Sequence, residues 1–194
     1  MALPCAMILA GGAGLRMGGH KPFHVYENKP LIVSVIDALR PQAGRLFLNA
    51  REESDALNAL GQPLCFDDEA VAGLGPLSGI HTALKTGAAI GEDVVITAPC
   101  DMPHLPHDMV TQLVARMDDQ TDIVHFSGAR DYPLCALWHT RLLPHLESAL
   151  LAARKHGGLA VMGYLKTVRT AKIRANNDAA FININQPLTG APEA

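Results

Sequence analysis

Apolar positions along this chain follow two rhythms. Short unbroken runs, within Pro4 to Leu9, Arg45 to Asn49, Leu64 to Phe66 and Val94 to Ala98, are separated by stretches where apolar residues recur every three or four positions, as in Leu31, Val35, Ile36 and Leu39. Unbroken runs suit strands buried on both faces, and the three-to-four spacing suits helices laid over them. The alternation continues to about residue 126. It predicts a mostly parallel sheet covered by helices, an α/β chain.

The elements follow in order. A helix runs from Pro30, in its first turn, to Leu39 and is stopped by Pro41; another starts at about Glu52. A Gly/Pro-rich loop within Val71 to Gly79 precedes a helix of about Ile80 to Ala88, and a further helix spans about Pro106 to Met117 before a strand at Asp122 to Phe126. From Ser127 the pattern changes. A turn at Gly128 to Pro133 leads into a strand, Pro133 to Trp138, that departs from the parallel order. A helix of about Arg141 to Lys155, a short helix ending near Leu165 and a polar, β-branched edge strand at Val168 to Ile173 come next. Ala180 to Pro187 reads as an extended segment with Asn183 and Asn185 on one side, two apart.

Composition narrows the class. With 194 residues, one α/β domain over 1–189 with a disordered tail at 190–194 is the expectation. Only 5% of residues are aromatic, so the core is aliphatic. A net charge of −3 excludes the basic field that broad nucleic-acid or membrane-surface binding needs. Cys5, Cys65, Cys100 and Cys135 form no zinc-spaced cluster and read as small core residues in a reducing compartment. Met1 to Leu9 lacks a basic n-region, which points to a cytoplasmic chain. His104 and His107 have no third ligand near and read as surface loop residues.

The chemistry starts where the first strand ends. Gly11, Gly12, Gly14, Gly18 and Gly19 crowd a loop whose formal positive charges are Arg16 and Lys21. Glycine lets backbone N–H groups approach a ligand closely, and successive N–H groups with nearby cations make an anion-binding concavity. The spacing fits neither G-x-G-x-x-G, since Met17 stands at the last position, nor the P-loop, since His20 follows Gly19. It is a different kind of phosphate loop.

Other strand ends add polar groups. Asn49 either caps the next helix or reads a ligand beyond the sheet. Asp67 and Asp68 follow the third run; a carboxylate there can accept from two neighbouring N–H donors of a ligand, and the alternative is a solvated acidic loop. Asp101 follows the most apolar run. A carboxylate beyond a buried strand is costly unless paired, and Mg²⁺ beside a triphosphate is its natural partner; a helix N-terminal Asp is the other reading.

In order along the chain stand L-A-G-G with R-M-G-G-H-K (Leu9 to Gly12, Arg16 to Lys21), Asn49, G-P-L-S-G (Gly75 to Gly79), P-C-D-M-P (Pro99 to Pro103) and F-I-N-I-N-Q-P (Phe181 to Pro187). This series resembles nucleotidyltransferases that cap a phosphorylated acceptor with a nucleotide, and within them the MobA-type molybdenum cofactor guanylyltransferases. The resemblance implies a Rossmann-like three-layer nucleotidyltransferase fold, mostly parallel with an antiparallel C-terminal strand. It implies transfer of GMP from GTP to the terminal phosphate of molybdopterin or the molybdenum cofactor. Arg16, Lys21 and Asp101 would be catalytic, with Mg²⁺ on Asp101. Leu9, Ala10, Gly11, Gly12, Lys21, Asn49, Asp68, Gly75, Gly79 and Asp101 would hold the nucleotide, with Asp67 second to Asp68 as base reader. Asn183, Asn185 and Arg130 would face the pterin. Cofactor-donor proteins and molybdoenzyme chaperones are the implied protein partners; nucleic acid and membrane are not.

One position departs from the family pattern: His20 stands where an Asp usually precedes the lysine. Two rival functions stay open at this point. A cytidylyltransferase of the same cofactor is opposed by L-A-G-G in place of L-A-A-G and by P-C-D; a non-catalytic carrier of nucleotide or cofactor is favoured only by His20.

Overall fold

A computed structural model describes residues 3–12 and 21–184. The described residues form β1 (Cys5–Leu9), a hairpin of β2 (Val25–Tyr26) and β3 (Lys29–Pro30), α1 (Leu31–Leu39), β4 (Leu46–Ala50), α2 (Asp55–Asn58), β5 (Leu64–Phe66) and α3 (Pro76–Ala89). Then come β6 (Val94–Pro99), α4 (Met109–Arg116), β7 (Ile123–Ser127), β8 (Asp131–His139), α5 (Leu143–Ala153), α6 (Val161–Leu165) and β9 (Thr170–Arg174).

Seven strands make one sheet in the order β5-β4-β1-β6-β8-β7-β9. β1 pairs in parallel with β4 and β6, β4 with β5, and β7 with β9; β8 alone runs antiparallel, to both β6 and β7. The strand expected to reverse after Ser127 does so, and the expected edge strand is β9. The chain winds outward from β1 through β4 to β5, then returns to place β6 on the other side of β1. That reversal opens a crevice beyond the carboxyl ends of β4, β1 and β6, where open α/β sheets bind ligands.

Alternate residues of β1 face two separate cores. Ala6 and Ile8 meet α1 (Ile32, Val35, Ile36, Leu39) and α4 (Met109, Val110, Leu113). Cys5 and Met7 meet Ala83 of α3, beside a second cluster in which α3 (Leu77, Ile80, Leu84) packs with α5 (Leu146, Leu150), Trp138 and Tyr164. The result is the expected three-layer α/β arrangement. Trp138 is fully buried, and its indole N–H donates to Thr97 Oγ1 at 2.8 Å, so the chain's one tryptophan leaves no polar atom stranded in the sheet. All four cysteines are free; Cys5, Cys100 and Cys135 are buried, and burial pushes the Cys5 and Cys100 thiols up to about 12.

Several boundaries differ from the sequence expectation. α3 starts at Pro76 rather than Ile80, because Gly75 at φ 94° turns the chain into it and Pro76 suits its first turn. The helix expected from Glu52 shrinks to α2, capped by Ser54, whose hydroxyl accepts from Leu57 N–H; Asn49 therefore caps nothing. Helix α4 covers only part of 106–117. Ala180 and Phe181 are not extended but end a 3-10 turn, Asp178–Phe181, capped by Asn177. No helix among the described residues is long and apolar enough to cross a membrane.

Candidate active site

Strand register sets the frame. Leu9 lies opposite Asn49 on one side and Pro99 on the other, so the Gly-rich loop, Asn49 and the P-C-D segment all leave the sheet at one end. The backbone stitches them together: Ala10 N–H donates to Asn49 O at 2.9 Å and Cys100 N–H to Leu9 O at 3.3 Å. That commits the Ala10 N–H. The Gly11 and Gly12 N–H groups donate to no described residue.

Asp101 is buried at the carboxyl end of β6. Its Oδ2 forms an ion pair with Lys21, 80 residues earlier in the chain, and accepts from Asn183 Nδ2 at 3.3 Å. Its backbone carbonyl accepts from Ile184 N–H at 2.9 Å, which ties the C-terminal segment to the same point. Arg130 reaches in from the turn before β8, its Nη2 donating to Asn183 Oδ1 at 3.4 Å. The turn is pinned by Asp178, which accepts from Ala129 N–H and Tyr132 O–H, and Gly128 leaves the room that carboxylate needs. Lys21, Asp101, Asn183 and Arg130 thus form one chain of contacts from the loop after β1 to the far side of the crevice. Sequence spacing gives no hint of these pairings.

The other oxygen of Asp101, Oδ1, is buried and has no hydrogen-bond partner among the described residues. An unpartnered carboxylate oxygen in a buried setting is costly, and a divalent cation would satisfy it. Among the described residues there is no group of three or more His, Cys, Asp and Glu side chains placed to hold a metal. The donor set fits Mg²⁺ held by one carboxylate together with phosphate oxygens and water, which is how that ion is commonly bound. His104 and His107 are exposed, as expected of loop residues.

On the other flank, Asn49 is buried, and its Nδ2 donates to Asp67 Oδ1 at 2.8 Å and to Cys65 O at 3.4 Å. Thr82 Oγ1 of α3 stands 2.8 Å from the same Asp67 oxygen. Asp68 points elsewhere: Oδ2 takes Lys85 Nζ at 2.8 Å and Oδ1 takes Ala70 N–H at 3.1 Å, and the Lys85 bond holds its carboxyl below the ordinary carboxylate range. Asp68, Thr82 and Lys85 line a cavity of about 350 Å³ between β5 and α3. A larger cavity, about 550 Å³, lies at the opposite end of the sheet around Asp122, Arg141 and Arg169, far from the loop and strand ends that carry the chemistry.

Gly75 caps α3 and Gly79 lies one turn in, where a Cβ would stand 2.6 Å from Asn49 Oδ1 and 3.1 Å from Leu9. A Cβ on Gly11 would stand 3.0 Å from the same oxygen. Both glycines thus make room for Asn49. Thr82 and Asp67 are the residues the sequence did not single out together; their only signal is position, one turn after Gly79 and beside Asp68. Arg16, His20 and Asn185, with Gly14, Gly18 and Gly19, lie outside the described residues.

Comparison with known proteins gives this arrangement its relatives. The model of the MobA-like NTP transferase domain matches residues 6–168. A molybdenum cofactor guanylyltransferase from Cereibacter sphaeroides is 34% identical over 182 residues, 93% of this chain and 90% of the relative. One from Rhodopseudomonas palustris is 42% identical over 153 residues, covering 76% and 72%. The crystal structure of molybdopterin-guanine dinucleotide biosynthesis protein A from Archaeoglobus fulgidus superposes with a TM-score of 0.74 at 22% identity, over 94% of this chain and 93% of that one. Through a domain match that spans most of its length and relatives aligned nearly end to end, this chain belongs to the MobA-like NTP transferase family.

Proposed function

We propose that this chain transfers GMP from GTP to the terminal phosphate of molybdopterin, free or molybdenum-loaded, and releases pyrophosphate. The observation that carries the reading is Asp101: a buried carboxylate at a strand's carboxyl end, one oxygen paired with Lys21 and the other without a partner among the described residues. Kinship with guanylyltransferases supplies the substrate class.

In the reaction an oxygen of the acceptor phosphate attacks the α-phosphorus of GTP. The bond from that phosphorus to the bridging oxygen breaks, and the electron pair leaves with pyrophosphate. The chain's work is positioning and charge stabilisation. Lys21 and Arg16 would stabilise charge on the α-phosphate and the leaving group, and Asp101 orients Lys21. The Gly11 and Gly12 N–H groups would donate to phosphate oxygens; Leu9 and Ala10 would shape the floor, since the Ala10 N–H is committed within the sheet. Asp101 Oδ1 would hold Mg²⁺, which when bound supplies charge neutralisation between phosphate oxygens. Asn49, Asp68, Gly75 and Gly79 would border the nucleoside, with Asp68 reading the guanine edge once Lys85 yields it. Arg130, Asn183 and Asn185 would face the pterin. The work is that of a soluble enzyme in the cytoplasm.

The test is pyrophosphate release with Mg²⁺ and molybdenum cofactor, comparing GTP, CTP and ATP. Release with GTP, lowered by Asp101→Ala by about 10²–10³-fold, is expected. Release with CTP in place of GTP overturns the base assignment. GTP binding without release from any nucleotide overturns transfer in favour of a carrier.

A further inference from the structure

Asn49 stands between Leu9 and Cys65 in the sheet, at the edge of the crevice. Its amide has two possible orientations, and its surroundings choose one. Asp67 Oδ1 at 2.8 Å and Cys65 O at 3.4 Å are both acceptors, so the NH₂ faces them. The flipped amide would set its own oxygen against a carboxylate and a carbonyl, losing two hydrogen bonds and adding repulsion. Asp67 is itself steadied by Thr82 Oγ1 at 2.8 Å.

Asn49 Oδ1 therefore faces away, into the seam where Gly11 and Gly79 have no side chains. It accepts no hydrogen bond from any described residue. Two glycines from different elements leave space around one fixed acceptor. Such a position asks for a donor.

We propose that Asp67 is a positioning residue that locks the Asn49 amide so that an acceptor, not a donor, meets the bound nucleotide in the seam between Gly11 and Gly79. The nucleotide's donors are the ribose hydroxyls and the guanine N–H groups, and its phosphates at neutral pH have none. Asn49 thus contacts the nucleoside and not the phosphates. The proposal rests on the reading that the nucleotide lies over this seam.

GTP binding and steady-state pyrophosphate release are measured on the full chain and on Asn49→Ala, Asp67→Ala and Asp67→Asn. Asn49→Ala and Asp67→Ala each raise Kd and KM for GTP about tenfold while kcat changes by less than about threefold, the signature of lost binding common to ground and transition state. Asp67→Asn, which keeps an acceptor oxygen for the Asn49 amide, recovers most of the affinity. Probing with 2′-deoxy-GTP, 3′-deoxy-GTP and inosine triphosphate identifies the donor: the analogue lacking it binds the unaltered chain about tenfold more weakly, and Asn49→Ala weakens that analogue no further. If Asn49→Ala leaves GTP affinity unchanged, the nucleotide does not lie at this seam, and the placement and the proposal fall together. If Asn49→Ala weakens GTP but Asp67→Ala does not, the locked acceptor is overturned while the placement stands; equal weakening of all three analogues by Asn49→Ala assigns the donor to the guanine N1–H, which all three keep.

Discussion

Asp122, just before β7, accepts from Arg169 Nε, Nη2 and backbone N–H at 2.8 to 3.1 Å and from Arg141 Nε at 2.9 Å. The Arg169 bonds hold its carboxyl far below the ordinary carboxylate range. A depressed carboxylate contributes stability that is complete above the unfolded pKa and is lost as pH falls below about 4. The imidazoles act earlier. His81 and His125 are buried, each with one ring nitrogen unpartnered among the described residues, and burial lowers their pKa, as it does for His139. Below about pH 6.5 the unfolded chain binds protons that these rings refuse in the fold, so stability falls from there downward. Unfolding in urea at pH 7.5, 5.5 and 3.5 is therefore expected to show two stages of loss, with His125→Leu shrinking the first and Asp122→Asn shrinking the second, to which Asp68 and Asp178 also contribute, while costing about 3 kcal/mol at neutral pH. A flat profile between the two higher values overturns the first stage. Legibility at this scale follows cost. Asp101 was visible because a carboxylate beyond an apolar strand needs a partner, whereas Asp67 stood only second to Asp68: the same residue type stands beside it, and only Thr82 and Asn49, far apart in sequence, tell the two apart.

Helix α3 carries two glycines with opposite neighbours. A Cβ on Gly79 meets the end of the Asn49 amide at 2.6 Å, and one on Gly87 meets Val95 Cγ2 of β6 at 2.2 Å. Alanine gains about 1 kcal/mol of helix propensity at either site. At Gly87 that gain is overrun, because Val95 is β-branched and buried in the sheet, so its methyl has little freedom to swing away; Gly87→Ala is expected to lower Tm by about 5 °C or more. At Gly79 the displaced group is the end of the Asn49 amide, so Gly79→Ala is expected to keep Tm within a few degrees while GTP binding weakens about tenfold. Calorimetric titration and thermal melting on both variants separate the cases, and equal GTP affinity in Gly79→Ala and the unaltered chain sinks the assignment. The elements themselves were largely readable. Leu64–Phe66 falls where its apolar run does, while α3 starts earlier than its Gly/Pro-rich lead suggested because those residues form its cap and first turn. The β2–β3 hairpin went unread: Glu27 and Asn28 both hold positive φ, a conformation that Asn accepts readily and that Glu gives no sign of.

Across the molecule, the reversal of strand order at β1 gathers groups that sequence keeps apart: Lys21 after β1, Asp101 after β6, Arg130 before β8, and Asn183 beyond β9. Motif order announced the members of this set, and periodicity announced the sheet. The contacts between them depend on topology, which no local pattern records. The last of them, the segment 182–184, reaches Asp101 through the Ile184 N–H and the Asn183 amide. Phe181 just before it is buried, its ring 4.8 Å from those of Phe126 and Tyr132, so the anchor and the reaching segment are separate. A chain ending at Phe181 should keep the aromatic anchor and most of its Tm, yet lose two of the bonds that orient Asp101. The two bonds together are worth about 2–3 kcal/mol, so kcat/KM for the pterin acceptor is expected to fall about 30-fold to 150-fold. The Kd for GTP without the acceptor should move less than about threefold, because Lys21 stays paired with Asp101. Steady-state kinetics varying the acceptor, set beside direct GTP binding, reads both numbers. An equal loss on the two sides would mean that the segment supports the whole crevice and not the pterin flank.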